Sequence, residues 1–381
     1  MDSIDNHQQT GNRGRALVCA LATLDKCPRP LRVTNLLKDR FDVTYAGFAS
    51  NVDGVGFIPI NRRNSIFVKI IRLIGKVFRL HLLVRKITFR LDNDAINDPT
   101  FDLVVCHDIQ LLPYLSLHSK RRVILDLREF YPRQFDNNLF WSMTEKPFFD
   151  HLCKRYLDKV DHCITVSTGL RDAYAEVYHV TPSVIHSYAP ASDLTPCHNT
   201  ENTLKLLYHG GAIQARGIHN LIHAMDELGS KAELDLMLVG EGPYYNELVG
   251  MVSGRTNVRI IPAVLYSEIV GVTNQYDIGL IFYPPSTFNI DNCMPNKLFE
   301  MIQAKVPVIS SPLKSLKSFV HDHHIGWGTE DFTVGSLVQT IRQIERPEII
   351  ELKENMASIA GVMSQEFANH DLLKLLLAND E

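Results

Sequence analysis

The chain has 381 residues, of which 45% are hydrophobic, and a formal net charge of −4 at pH 7. This length exceeds that of one typical domain, so we expect two domains, each with enough apolar residues for its own core. The nearly balanced charge gives no indication of nucleic acid as a partner. The seven cysteines are odd in number and form no CxxC pair, which favours a reducing compartment over secretion.

The sequence shows no targeting segment and no membrane-spanning segment. Its start, residues 1–14, is polar and lacks the apolar core of a signal peptide. Charged side chains interrupt every stretch of 18 residues, so no spanning helix is expected. We therefore expect a cytoplasmic protein.

The first part of the chain predicts a parallel α/β sheet. Apolar runs at 15–22 and 41–48 predict buried strands, and residues 31–39 between them predict a helix. A strand, a loop, a helix and a second strand in this order are typical of a parallel sheet covered by helices. The loop at 23–30 carries Arg29, which either faces water or serves a ligand.

Residues 61–91 contain nine basic side chains and no acidic one. Six of the nine follow steps of three, four or seven, which predicts one continuous helical stripe: Lys69, Arg72, Lys76, Arg79, Lys86 and Arg90. Apolar residues such as Phe67 and Ile70 fill much of the remaining surface. A basic amphipathic helix is the type that lies on anionic membranes. The alternative is an internal helix whose Lys and Arg side chains simply face water.

Three further strands complete the first half. The strand predicted at 101–106 is followed by His107, and the strand at 123–127 leads into Glu129. Ligand sites in open α/β sheets lie at such carboxyl ends. The alternative for His107 is a loop histidine that caps the next helix. A strand at 161–167 and a helix at 170–178 follow, and the Ser-, Thr- and Pro-rich stretch at 187–202 predicts a linker.

A second series of strands and helices begins at residue 204. The glycine-rich run Gly210, Gly211 and Arg216 follows its first strand, and glycines at such a position let the backbone approach phosphate closely. Further strands are predicted at 234–239, 258–261 and 277–283. The turn containing Gly240 and Gly242 follows the first of these three strands, and Val264 lies just after the second.

The run from Cys293 to Ser311 predicts a loop, a short helix, a tight turn and a buried strand. Pro295 suits the first turn of the helix, and Asn296 and Glu300 lie on the side away from its apolar face. A helix N-terminus offers free N–H groups and partial positive charge, which suit phosphate. A carboxylate one turn further along accepts hydrogen bonds from two ribose hydroxyls.

This run, Pro-Asn-Lys-Leu-Phe-Glu followed by Ala-Lys-Val-Pro-Val-Ile, resembles the donor-site signature of GT-B glycosyltransferases of the retaining GT4 family. The resemblance implies that Glu300 holds the ribose of a nucleotide sugar and that Arg216 grips its diphosphate. The family's first diphosphate cation is replaced by Gly211, and we predict that Lys297 takes over its role. The remaining donor-binding positions that the resemblance implies are Gly210, Gly240, Gly242, Val264, Pro295 and Asn296.

The sequence departs from the family pattern at the position of the sugar contact, where Asn292 stands in place of the usual second glutamate, with Asp291 next to it. On the first domain, the resemblance places His107 beside the donor sugar. It also places Arg29 and Glu129 on the acceptor side. The sequence His321-Asp322-His323-His324 has turn-like spacing and no partner residue, so no metal is expected.

The predicted architecture is α/β of the GT-B class, with two Rossmann-like domains whose parallel sheets face each other across a cleft. The predicted divisions are an N-terminal domain at 1–190, a linker at 191–203, a nucleotide-sugar domain at 204–350 and C-terminal helices at 351–381 that cross back to the first domain.

The predicted reaction is transfer of a sugar from a nucleotide sugar to a hydroxyl of a glycan or lipid-linked acceptor, in surface polysaccharide or glycoconjugate synthesis. The resemblance implies retention of configuration and no metal or other cofactor. The predicted partners are the nucleotide sugar, the acceptor and an anionic membrane on its inner face. Two alternatives share this architecture: a sugar-nucleotide 2-epimerase, and a non-catalytic partner subunit.

Overall fold

The computed structural model describes residues 13–117 and 120–378. The chain forms two compact units. The first comprises the chain up to Arg128 together with Met143–Ile164 and Tyr178–Pro182, and the second comprises Glu129–Ser142, Thr165–Val177 and the chain from Ser183 onward. The division predicted at residue 190 and the return of the C-terminal helices stay predictions. The predicted polar start at 1–12 lies outside the described residues.

Fifteen strands and sixteen α-helices make up the regular structure of the described residues. The strands are β1 (Gly14–Cys19), β2 (Phe41–Gly47), β3 (Gly56–Pro59), β4 (Asn61–Arg62), β5 (Phe89–Arg90), β6 (Phe101–Cys106), β7 (Arg122–Leu127), β8 (His162–Thr165), β9 (Ser183–Val184), β10 (Leu204–Gly211), β11 (Ala232–Val239), β12 (Val258–Ile261), β13 (Ile278–Ile281), β14 (Val308–Ser310) and β15 (Gly326–Gly328). The helices are α1 (Pro28–Lys38), α2 (Ile66–Val77), α3 (His81–Thr88), α4 (Asn93–Ile96), α5 (Leu139–Thr144), α6 (Lys146–Tyr156), α7 (Thr168–Tyr178), α8 (Ile218–Leu228), α9 (Pro243–Val252), α10 (Ile269–Thr273), α11 (Phe288–Asp291), α12 (Asn296–Gln303), α13 (Lys314–Asp322), α14 (Val334–Gln343), α15 (Arg346–Ile359) and α16 (Gln365–Leu377).

The first sheet has seven strands in the order β3-β2-β1-β6-β7-β8-β9. The pairs β1–β2, β2–β3, β1–β6 and β6–β7 are parallel. Strands β1 and β6 are nearly continuous apolar runs whose residues are buried on both faces, as expected of a parallel sheet covered by helices. The strand order changes direction between β1 and β6, so the carboxyl ends of these two strands are the expected position of a ligand site.

The second sheet has six strands in the order β12-β11-β10-β13-β14-β15, and all of its adjacent strands are parallel. This order is that of a doubly wound Rossmann-type sheet, with its switch point between β10 and β13. Helices α8 and α12 pack against it through fully buried Leu, Ile, Phe and Met side chains. The predicted α/β class with parallel sheets is therefore confirmed.

Helix α12 is buried along its whole length after its first residue. Leu298 and Phe299 are completely buried, as the apolar spacing predicts. Gly279 of β13 allows this close packing, because a Cβ there would lie 2.3 Å from the sulfur of Met301. The helix is less amphipathic than the sequence suggests, since Glu300 is also buried and only Asn296 is exposed.

The predicted continuous stripe at 61–91 is wrong. The segment forms the short antiparallel ribbon β4–β5 and two helices, α2 and α3, which we call the helical hairpin. The first helix ends before Arg79, whose φ of +55° directs the chain away from the helix. Basic residues on either side of this turn therefore cannot share one helical face.

Many apolar residues of helix α2 do not pack inward, as the alternative of an internal helix would require. Gly75 packs close to the second helix, since a Cβ at this position would lie 2.9 Å from a methyl of Val84. The adjacent Lys76 is buried and forms an ion pair with Glu145. This packing turns the apolar residues outward, and Ile66, for example, is 74% exposed.

No helix in the described ranges is long and apolar enough to cross a bilayer.

Candidate functional site

The candidate site lies at the carboxyl edge of the second sheet. Strand β10 ends at Gly211, and the chain from the end of β13 leads through residues 282–295, which include the short helix α11, into α12. These two strands flank the switch point, where the crevice of a doubly wound sheet opens. The fold therefore places the glycine-rich loop and the N-terminus of α12 at the position expected for a phosphate ligand.

The end of β10 brings backbone and cation together. Gly210 has φ of +132°, a conformation that side chains rarely allow. Arg216 follows in the 3-10 turn Gln214–Arg216, and Gly217, in the left-handed region with φ of +64°, is the N-cap of helix α8. A Cβ at Gly210 would lie 3.3 Å from Nη1 of Arg216, so the guanidinium lies against this glycine.

Lys297 reaches the same glycine from the other side of the switch point. Its Nζ would lie 3.3 Å from a Cβ at Gly210, which is the same distance as for the Arg216 guanidinium. The ammonium lies 3.8 Å from the ring centre of Tyr208 and 5.3 Å from that of Tyr283, as cation–π contacts. It is buried and has no hydrogen-bond partner among the described residues.

Burial lowers the pKa of Lys297 well below its usual value, and the nearby Arg216 lowers it further. Glu300, one turn along the helix, opposes this shift but does not cancel it. An anion with several charges beside both cations would stabilise the protonated ammonium. The pair is therefore suited to a diphosphate, which carries more negative charge than one cation neutralises.

Glu300 is also held in an environment that disfavours its charge. It is buried, and its Oε2 lies 3.6 Å from Nδ1 of His209. Burial raises the pKa of Glu300 to about 7, against the smaller effect of Lys297. Burial and Lys297 together lower the pKa of His209 to about 3, so this imidazole is neutral. A carboxylate in this position gains from any pair of hydroxyl donors presented to it.

The other predicted donor positions follow the same sheet edge, but the described contacts do not bring them together with the cations. Gly240 is exposed with φ of +115°, and Gly242, with φ of +116°, is the N-cap of helix α9. Val264 is half-buried just after β12. Pro295 is the N-cap of α12, and Asn296 is the first residue of that helix.

Asn292 is occupied by contacts within the second unit. Its amide donates to the carbonyl of Phe288, and its own carbonyl accepts a hydrogen bond from Ser167. A Cβ at Gly169 would lie 2.3 Å from its Oδ1, so the side chain packs tightly against α7. The neighbouring Asp291 is half-buried at the end of α11. The sugar contact at these two positions stays a prediction.

The first unit contains a second cluster of charged residues, after β6 and in β7. Asp126 is completely buried and accepts hydrogen bonds from Arg29 and from His107, whose Nδ1 lies 2.8 Å away. Burial lowers the pKa of His107, although Asp126 opposes the shift. Arg29 is thus held by an ion pair and does not simply face water.

Glu129 belongs to the second unit, where its backbone carbonyl accepts a hydrogen bond from Tyr174. Its side chain is half-buried. Arg128, the last residue of the adjoining segment of the first unit, pairs with Asp108 at 3.2 Å. The predicted acceptor-side roles of Glu129 and Arg29 and the predicted role of His107 beside the sugar stay predictions.

Sequence reasoning missed three residues of this arrangement: Tyr208, His209 and Tyr283. Tyr208 and His209 are the last large side chains before the glycines of β10, and that position was the available signal. In the described ranges, no three His, Cys, Asp or Glu side chains cluster closely enough to hold a metal ion.

Residues 203–346 match the family model described as glycosyl transferases group 1. The resemblance found in the sequence is thereby confirmed over the range that contains Arg216, Lys297 and Glu300. Comparison with curated protein sequences gives no match.

Solved structures share the fold along nearly the whole chain. Sucrose-phosphate synthase from Thermosynechococcus elongatus superposes with a TM-score of 0.71 at 11% identity, over 95% of this chain and 98% of its own. HepE from Anabaena, solved in complex with UDP and glucose, gives 0.65 at 12% identity over 96% and 100%. WaaG, a glycosyltransferase involved in lipopolysaccharide biosynthesis, gives 0.68 at 12% identity over 96% and 100%. These likenesses confirm the GT-B fold.

Proposed function

We propose, on the premise that residues 203–346 form a group 1 glycosyl transferase domain, that this chain transfers a sugar from a nucleotide sugar to a hydroxyl group. The observation that carries the proposal is the convergence of Lys297, Arg216 and the Gly210 backbone beside Glu300 at the switch point. Two cations suit the diphosphate, and the carboxylate one turn along suits the ribose. HepE, which shares the fold, was solved with UDP and glucose.

The proposed roles follow from where charge develops. As the bond from the anomeric carbon to the phosphate oxygen breaks, negative charge builds on the departing diphosphate. Lys297 and Arg216 stabilise that charge electrostatically from fixed positions, which costs little reorganisation at the moment of reaction. Glu300 orients the ribose and so fixes the diphosphate against both cations.

The proposed transfer retains the configuration at the anomeric carbon and needs no metal ion. The acceptor hydroxyl attacks from the side of the leaving group. Its oxygen forms the new bond to the anomeric carbon, and its proton passes to the departing phosphate oxygen. The proposed acceptor is a glycan or a lipid-linked saccharide in surface polysaccharide synthesis; WaaG, which shares the fold, is involved in lipopolysaccharide biosynthesis.

The test is incubation with UDP-, GDP- and ADP-sugars, with and without acceptor glycans. Acceptor-dependent release of free nucleoside diphosphate supports the proposal. A new sugar nucleotide formed without acceptor indicates a 2-epimerase. No reaction, combined with retained nucleotide affinity, indicates a partner subunit that does not catalyse.

We further propose that the helical hairpin attaches the protein to the cytoplasmic face of an anionic membrane. Its apolar side chains are unusually exposed: Phe67 is 69% and Phe78 is 70% accessible to solvent. The exposed basic residues Arg62, Lys69 and Arg79 lie in the same segment. Apolar groups that enter the acyl boundary, flanked by cations at the headgroups, form the arrangement that binds membrane surfaces.

Vesicle sedimentation tests this attachment. Replacing Phe67 and Phe78 by Ser should release the protein from anionic vesicles, whereas Phe367→Ser should not, although Phe367 in α16 is also 52% exposed. Replacing Lys69 and Arg79 by Gln should weaken binding by about 2 kcal/mol, at about 1 kcal/mol per basic group. Equal effects of the hairpin and Phe367 variants contradict the proposal.

A further inference from the structure

A cavity of about 360 Å³ lies in the first unit beside the helical hairpin. Its volume equals that of about a dozen liquid water molecules, enough for a phosphorylated group. Four basic side chains line it: Arg63, Arg85, Lys86 and Arg90. No carboxylate is among its lining residues, and Asn93 and Tyr114 add polar groups. We call it the basic cavity.

The fold fixes where these cations are attached. The backbone N–H of Arg63 donates to the carbonyl of Thr88 at 3.1 Å, and Arg90 pairs with Asn61 in the ribbon β4–β5. The Tyr114 hydroxyl donates to the carbonyl of Arg85, which ties helix α3 to the floor of the cavity. The cavity walls therefore come from ordered backbone of several elements.

The four cations of the basic cavity form no close ion pair in the described ranges. Lys76 on the first helix of the hairpin, by contrast, pairs with Glu145. Burial raises the pKa of Tyr114 to about 12, and both Arg85 and Arg63 oppose that rise, so two guanidinium charges act on one hydroxyl.

Like charges gathered around one cavity repel each other, and an anion within it removes that repulsion. Guanidinium groups bind phosphate oxygens through paired N–H donors, and the side-chain amide of Asn93 supplies further hydrogen bonds. A phosphate with two negative charges matches this set better than a carboxylate, which carries one. Phe89 and Leu91 add apolar lining, which suits an apolar group attached to the phosphate.

We propose that the basic cavity binds a phosphate-bearing group. Its position on the segment that the membrane proposal uses favours the headgroup of an anionic lipid as the source of that phosphate. Only the assignment of the phosphate to a lipid headgroup rests on the proposed membrane attachment. Phosphate binding by the basic cavity depends neither on membrane attachment nor on glycosyl transfer.

The first test uses inorganic pyrophosphate and isothermal titration of the full chain. The double variant Arg63→Gln with Arg85→Gln should bind one equivalent fewer than the parent. The matched control is Arg62→Gln with Lys69→Gln, which loses the same charge from the same segment but outside the cavity lining. Because Arg216 and Lys297 are unchanged in both variants, binding at the donor site cancels in the comparison.

The second test identifies the source, with vesicles of phosphatidate and of phosphatidylglycerol adjusted to equal surface charge. Phosphatidate exposes a phosphomonoester, which a cavity with four cations should prefer. The parent should prefer phosphatidate vesicles roughly tenfold. If the cavity variant loses this preference and the control variant keeps it, the site is assigned to a lipid headgroup. Loss of pyrophosphate binding without any vesicle preference assigns it to a free phosphorylated compound.

Equal pyrophosphate stoichiometry in the cavity and control variants, with no vesicle preference, overturns the proposal. Equal weakening of vesicle binding in both variants would also overturn it, because the four cations would then act only as surface charge, whereas the proposal of membrane attachment would stand. Failure of the nucleotide-sugar reaction affects neither outcome, since no donor is present in these assays.

Discussion

The role of Lys297 can be tested with Lys297→Met, which shortens the unbranched side chain by one atom and removes its charge. The ammonium is buried and shares the position beside Gly210 with Arg216. A charge-assisted hydrogen bond to an ionic group is worth about 1.5–3 kcal/mol. Its loss from the transition state corresponds to roughly a 10- to 150-fold fall in kcat/KM.

The division between kcat and KM carries further information. Charge on the diphosphate grows as the sugar bond breaks, so the ammonium should stabilise the transition state more than the bound donor. Turnover should therefore fall more than donor affinity. If donor affinity falls by the whole of the fall in kcat/KM and kcat is unchanged, Lys297 contributes only to binding of the ground state.

The same substitution should affect stability in the opposite direction. Burial and Arg216 lower the pKa of Lys297, which means that the folded protein holds the charged form at a cost. Met fills a similar volume without that cost, so the thermal midpoint of the ligand-free protein should rise. A structural lysine would show the reverse, a variant that is less stable.

The assay is initial-rate kinetics with the best nucleotide sugar of the panel, together with thermal unfolding of the ligand-free variants. Lys317→Met on the exposed surface of α13 is the control and should leave both measurements unchanged. Parental turnover in the Lys297→Met enzyme, or a bound structure with the phosphates far from this side chain, would refute the reasoning.

Three further predictions concern other residues. Affinity for a nucleotide sugar should fall roughly tenfold per pH unit below about pH 7, because Glu300 gains its proton there. Calorimetry should show that Glu300→Gln removes this pH dependence and weakens binding by about 1.5–3 kcal/mol at pH 8. A Glu300→Gln variant that keeps the pH dependence would contradict the assignment. Burial raises the pKa of Asp126, but Arg29 and His107 outweigh burial and hold the pKa below its usual range. The ionised carboxylate therefore stabilises the fold above about pH 4, and this stabilisation is lost as the pH falls through the pKa of Asp126 in the folded protein. Asp126→Asn should therefore cost about 3–5 kcal/mol in urea unfolding at pH 7 and lose that acid dependence; an unchanged midpoint would show that the ion pairs contribute nothing. Gly326→Ala should destabilise the protein by more than about 1 kcal/mol, because the residue has φ of +153° and a Cβ there would lie 1.9 Å from the carbonyl oxygen of Val308. Gly250→Ala is the matched control in helix α9. It has open space around it and should stabilise the protein by about 0.5–1 kcal/mol.

Sequence patterns were sufficient wherever the information is local. Apolar runs bounded by turn residues predicted β6 at 101–106 and β12 at 258–261 with the bounds that the structure has. The spacing around Pro295 and Glu300 predicted a helix that begins at a phosphate-binding position. Helix α6 was not predicted, although its buried residues Phe148, Phe149, Leu152 and Cys153 recur at helical spacing.

The helical hairpin shows where periodicity fails. Steps of three, four and seven describe one helix only if the backbone continues, and Arg79 with φ of +55° ends it. The direction in which a helix faces depends on its packing partner. Here Gly75 and the Lys76–Glu145 ion pair select the inward face, and neither is visible as a hydrophobic pattern.

The sequence by itself determined the fold class, the order of most elements and the identity of the candidate donor residues, since strand and helix periods and a short motif are properties of neighbouring residues. Only the tertiary structure decided what lies near Lys297, because β10 and α12 are about ninety residues apart along the chain and meet solely through the strand order of the sheet. The same holds for the pairing of Glu300 with His209 and of Asp126 with Arg29. Burial and partner charge set the pKa of these groups, and both are products of packing.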